Sequence, residues 1–90
     1  MQTYKFIIKG LVQGVFYRKT IHDKANTLNI KGQVKNLFNG DVEVYANLTP
    51  NNFDIFISVL KEGSHYSNVS GVTSSKMAKK TFTRFSVTYS

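Results

Sequence analysis

Apolar residues recur along the chain with two different periods. Tyr4 to Lys9 alternates loosely, and the adjacent Ile7 and Ile8 predict a strand buried on both sides. Gly10 and Gly14 bracket a turn. Beyond it, Tyr17, Ile21, Ala25 and Leu28 recur at helical spacing and form one apolar stripe. Ile30 to Leu37 reads as a second strand. Asn39-Gly40 is the strongest hairpin signal, pointing to a type I′ turn with positive φ at both central residues. Val42, Val44 and Ala46 alternate with Glu43, Tyr45 and Asn47, which predicts a third strand with one face inward.

Thr49-Pro50 opens a second helix. Threonine can cap it, and proline fits the first helical position, where no N–H is needed. Phe53, Phe56, Ile57 and Leu60 hold the helical period, and Gly63 stops it. Val69 to Met77 is a weakly patterned strand. Phe85, Val87 and Tyr89 alternate with Ser86 and Thr88 in a final short one. The order is β-α-β-β-α-β plus an extra C-terminal strand. It predicts an α+β, ferredoxin-like split βαβ domain over residues 1–90, with two helices on one face of an antiparallel sheet.

Composition narrows the possibilities. Ninety residues suffice for one core. The absence of cysteine rules out a disulfide framework, a thiolate metal site and a cysteine nucleophile. No apolar run approaches the length of a membrane span. Met1 to Lys5 lacks the apolar stretch of a signal peptide, so a cytoplasmic protein is expected, with no membrane partner and, at this size, a monomer. The formal net charge of +7 argues for an anionic partner. The lysines are dispersed, so the same charge also fits a solvated basic surface.

The first strand-to-helix turn, Gly10 to Arg18, is where chemistry is expected. Its glycines let the backbone bend and approach a ligand, and successive N–H groups there can converge on an anion. The helix behind adds free N–H groups and partial positive charge. Arg18 stands in the first helical turn, where a cation is unfavourable by itself; a bound phosphate would explain it. The glycine spacing alone equally suits an ordinary turn with a surface arginine.

The full string Gly10-x-Val12-Gln13-Gly14-Val15-x-Tyr17-Arg18 resembles the signature of the acylphosphatases. Gly32-x-Val34-Lys35-Asn36 followed by Gly40-x-Val42 is similar to that family's second signature, and Phe85 to Tyr89 to its closing strand. The resemblance implies hydrolysis of small acyl phosphates without cofactor or metal. It implies a phosphate held by Arg18 and the amides of Leu11, Val12, Gln13, Gly14, Val15 and Phe16, with Asn36 orienting the attacking water. Tyr17 stands where the family usually has phenylalanine, and Gln33 where it usually has a bulky residue. The Gln33 change is expected to loosen packing beside Asn36.

Other residues carry less. His22 lies one helical turn beyond Arg18 and could face the pocket. The five carboxylates show no pairing suited to acid–base work. Two rival functions share the fold. An RNA-recognition module needs several aromatics on the third strand; Asp41 to Ala46 offers one, with two acids, so no nucleic-acid partner is expected. A non-catalytic anion-binding or regulatory relative is the other, and retention of both Arg18 and Asn36 argues against it.

Overall fold

The two apolar periods resolve into seven elements in a computed structural model that describes residues 1–89. They are β1 (Gln2–Leu11), α1 (Tyr17–Thr27), β2 (Lys31–Asn36), β3 (Val42–Leu48), α2 (Pro50–Glu62), β4 (Asn68–Met77) and β5 (Phe85–Thr88). The strands form one sheet in the order β4-β1-β3-β2-β5. β1 lies antiparallel between β3 and β4, and β2 is antiparallel to β3. This is the expected split βαβ arrangement.

β5 differs in direction. It pairs with β2 in parallel, so the sheet is mixed. The cause is the geometry of the connection. β4 ends beside Thr3, at the end of the sheet where β2 begins. Residues 78–84 cross that end, fastened where the Lys80 N–H donates to Thr3 Oγ1 (3.0 Å) and Asn47 Nδ2 donates to the Lys80 carbonyl (2.8 Å). A short crossing delivers β5 running alongside β2.

Both helices pack on one face of the sheet. Phe6, Ile8, Val34, Val42, Val44 and Ala46 face Ile21 and Ala25 of α1 and Phe56 and Leu60 of α2 in a single buried cluster. Each such large side chain contributes about 1.5–3 kcal/mol on burial. Phe56 seats α2 by meeting Phe6 and Phe85 edge-on, with ring centroids 5.6 and 6.3 Å away. Among the described residues no helix is long and apolar enough to cross a membrane.

The β2–β3 connection is wider than a type I′ turn. Gly40 has φ +97°, but Asn39 does not share a positive φ. The Gly40 N–H instead closes a turn on the Leu37 carbonyl (3.2 Å), and Asn39 Oδ1 accepts from the Asp41 N–H (3.0 Å). An asparagine able to bond its own backbone two residues on favours this local turn over the tight hairpin. Here the glycine supplies the single left-handed residue.

The end of β1 sets up the site. Its register with β4 shifts between Lys9 and Gly10. Gly10 has φ +126°, and a Cβ there would stand 2.2 Å from the Asn68 carbonyl oxygen. Only glycine permits this close approach, after which β1 pairs with β4 as far as Leu11 before the turn to α1.

Candidate active site

The turn after β1 meets the end of β2 around a cleft of about 350 Å³. Val12, Gly14 and Phe16 line it from the turn, Tyr17, Arg18 and Lys19 from α1, Asn36 from β2, and Tyr89 from the segment after β5. Arg18 and Asn36, far apart in sequence, therefore share one concavity. Val12, Gly14 and Phe16 contribute to it directly. Leu11 does not: it is the last residue of β1, paired with Asn68, and its side chain is exposed.

Gln13 and Val15 do different work. The Gln13 side-chain amide donates to the carbonyls of Leu37 and Asp41, each at 2.8 Å. One side chain thus ties the turn to both sides of the β2–β3 loop, one residue beyond Asn36. The carbonyl of Val15 accepts from Ser64 Oγ at 2.5 Å, which fastens the turn to the loop after α2. The sequence pattern offered no basis for the Gln13 latch beyond a polar residue inside an otherwise apolar turn.

The start of α1 departs from ordinary helix chemistry. Phe16 occupies the N-cap with φ +61°, and no side chain caps the first N–H groups. The first helical bond runs from the Thr20 N–H to the Phe16 carbonyl (3.0 Å). No acidic residue stands in the first turn. The N–H groups of a helix start carry partial positive charge, so this one is set up to receive an anion. Gly14, with φ +72° and nothing within 4 Å of its missing Cβ, is needed for conformation alone.

Arg18 adds a formal charge to the same spot. Its Nη1 donates to the Thr88 carbonyl (3.2 Å), and the guanidinium lies 4.6 Å from the centre of the Tyr89 ring. The first contact engages one of five N–H donors and the second a face, so the planar fork is held while most donors are left over. Tyr89 was expected within the final strand; the strand stops at Thr88 and the ring instead braces Arg18.

Asn36 carries the most telling detail. Among the described residues, its Oδ1 is the one buried side-chain polar atom with no hydrogen-bond partner. An unpartnered buried acceptor costs about 1–3 kcal/mol, and such atoms need a reason. Asn36 lines the cleft, so this atom lies beside the cleft rather than open to it.

Tyr17 also has a role of its own. Its hydroxyl donates to the Leu60 carbonyl (2.8 Å), one of those left open at the end of α2. Burial pushes this hydroxyl well above its usual titration range, so it stays a donor. Gln33 does not touch the matter expected of it. Strand alternation puts it on the opposite face from Asn36, paired across the sheet with Tyr45.

His22 belongs to a neighbouring, larger cleft of about 460 Å³ that it shares with Lys19 and Arg84. Its ring contacts Asp23 (2.9 Å) and Asn26 (3.1 Å). His22, then Lys19, hold the exposed Asp23 carboxyl below its usual range. That cleft contains no unpartnered buried group among the described residues, and the smaller one does.

Known proteins resemble this chain along nearly its whole length. The family model described as Acylphosphatase matches residues 4–87. An acylphosphatase of Vibrio parahaemolyticus is 39% identical over 83 residues, 92% of each chain. The crystal structure of acylphosphatase from Bacillus subtilis superposes with a TM-score of 0.93 at 32% identity, over 99% of this chain and 100% of that one. An acylphosphatase structure from Coxiella burnetii gives 0.90 at 33% identity, over 97% and 92%. A match along nearly the whole length, in sequence and in backbone, means that the chain belongs to the acylphosphatase family, hydrolases that act on acyl phosphates.

Proposed function

We propose that Arg18 and the amides of the turn hold the phosphoryl group of a small acyl phosphate, and that Asn36 holds the water that attacks it. The single observation that carries this is the placement of Arg18 and Asn36, far apart in sequence, in the lining of one cleft. From the lining of that cleft the Asn36 side-chain amide holds a water beside the phosphoryl group, with a lone pair of the water free to face phosphorus.

The reaction asks for little more. The water oxygen bonds to phosphorus, and the bond from phosphorus to the bridging oxygen breaks with its electron pair on the departing carboxylate. Both water protons end on the phosphate, giving dihydrogen phosphate from a dianionic substrate. A carboxylate leaves readily without a proton, so no general acid is required. An asparagine is no base, and a phosphoryl oxygen of the substrate accepts the proton. What remains is placement and charge neutralisation, the two terms that dominate phosphoryl transfer.

Arg18 supplies charge in a fixed plane, and two parallel N–H bonds to phosphoryl oxygens match that plane. The amides of Val12, Gly14 and Phe16 come from the residues that line the cleft, those of Gln13 and Val15 from between them. Leu11 contributes the last strand pairing before the turn.

The test is hydrolysis of benzoyl phosphate in excess chelator. The parent turns over. Arg18→Ala loses binding and turnover together, and Arg18→Lys does not restore them, because a point charge cannot replace the fork. An inactive parent, or an Arg18→Lys protein as active as the parent, contradicts the reading.

A further inference from the structure

One wall of the cleft is more apolar than phosphate binding needs. Phe16 lines it with 69% of its surface exposed. Its ring meets Tyr66, itself 65% exposed, with centroids 6.2 Å apart and a 52° tilt. His65 continues the row, its ring edge-on to Tyr66 at 5.2 Å. Three rings thus form a row that begins at Phe16 in the cleft lining and continues through Tyr66 and His65 in the loop after α2.

Phe16 also breaks three local preferences at once. A bulky side chain sits in left-handed backbone, at a helix N-cap where a small polar residue is favoured, with its ring in water. Such a combination persists where the ring has a use outside the fold. The core gives no reason for it, since Phe16 and Tyr66 lie outside the buried cluster. From the phosphate position, the acyl group of a substrate must leave the cleft through its mouth, past this wall.

We infer that the Phe16–Tyr66 ring pair receives the acyl group, and that the preferred substrates are acyl phosphates with an aryl or similarly flat apolar acyl part. This rests on the phosphate-site reading above. The opposite side of the mouth offers the competing chemistry. Arg84, Lys19 and His22 in the adjoining cleft would suit an acyl group with a second anion. Lys19 and His22 already engage Asp23, which reduces what they offer.

The experiment compares kcat and KM for benzoyl, acetyl and succinyl phosphate, with inhibition by inorganic phosphate as a check on the cradle. The parent favours benzoyl over both others. In Tyr66→Ala the benzoyl-to-acetyl ratio of kcat/KM falls about two- to tenfold, the range of one aromatic contact, through KM. Tyr66→Phe keeps the parent ratio. Phe16→Ala lowers the ratio further, and Phe16→Tyr restores it. Inhibition by phosphate stays as in the parent for both Tyr66 variants. A ratio unmoved in Tyr66→Ala, or a parent preference for succinyl phosphate, overturns the inference and leaves the phosphate site standing. A parent inactive on all three substrates overturns both.

Discussion

The two helices of this domain begin in opposite ways. α2 starts with Thr49, whose side chain accepts from the Asn52 N–H (3.3 Å), and Pro50 follows in the first helical position. α1 starts with Phe16 in left-handed backbone, has no side-chain cap, and carries Arg18 in its first turn. The first start satisfies its own backbone and is complete. The second leaves N–H groups and adds a cation, an arrangement that the proposed phosphate would complete. The difference separates a residue choice made for stability from one made for chemistry, within a single chain of one fold.

The contrast can be broken from either side. The largest effect is expected at Gln13, which holds the open helix start against the β2–β3 loop. Gln13→Ala removes two 2.8 Å bonds, while each carbonyl keeps its backbone N–H donor, at a cost of about 2 kcal/mol in a urea melt. It also lowers kcat, because Asn36 and the turn lose their common tether. At the closed start, Thr49→Ala costs about 1 kcal/mol in the same melt and leaves kcat/KM for benzoyl phosphate unchanged. The smallest effect has the opposite sign. Phe16→Gly relieves left-handed strain and raises stability by about 0.5–1 kcal/mol. A stabilising change at the open start sharpens the comparison, since it means that function keeps a locally poor residue there.

The closed start was also the easier one to read. Thr49-Pro50, the apolar spacing of Phe53 to Leu60 and the stop at Gly63 are local signals, and α2 follows them from Pro50 to Glu62. β3 follows its alternation from Val42 to Leu48 for the same reason. Local pattern gave less where tertiary contacts decide. The parallel pairing of β5 depends on the crossing of residues 78–84, which no period encodes. The Asn39-Gly40 turn follows from a side-chain bond to Asp41 that competes with the tight hairpin.

The site divides along the same line. Gly10, Gly14 and Arg18 announced an anion turn through backbone freedom and a cation out of place. That Asn36 joins them depends on β2 flanking β3, which in turn pairs with β1. The Gln13 latch and the Tyr89 brace on Arg18 are contacts between distant segments, invisible to spacing. Tyr17 looked like a mere variation on phenylalanine, and its hydroxyl closes the end of α2.

Asn36→Ala tests the division of labour between holding phosphate and attacking it. The measurement is kcat for benzoyl phosphate together with the inhibition constant of inorganic phosphate. The account predicts that kcat falls about a hundredfold or more while phosphate inhibits as it does in the parent. An Asn36→Ala protein that turns over at the parent rate, or one that instead loses phosphate inhibition, contradicts it.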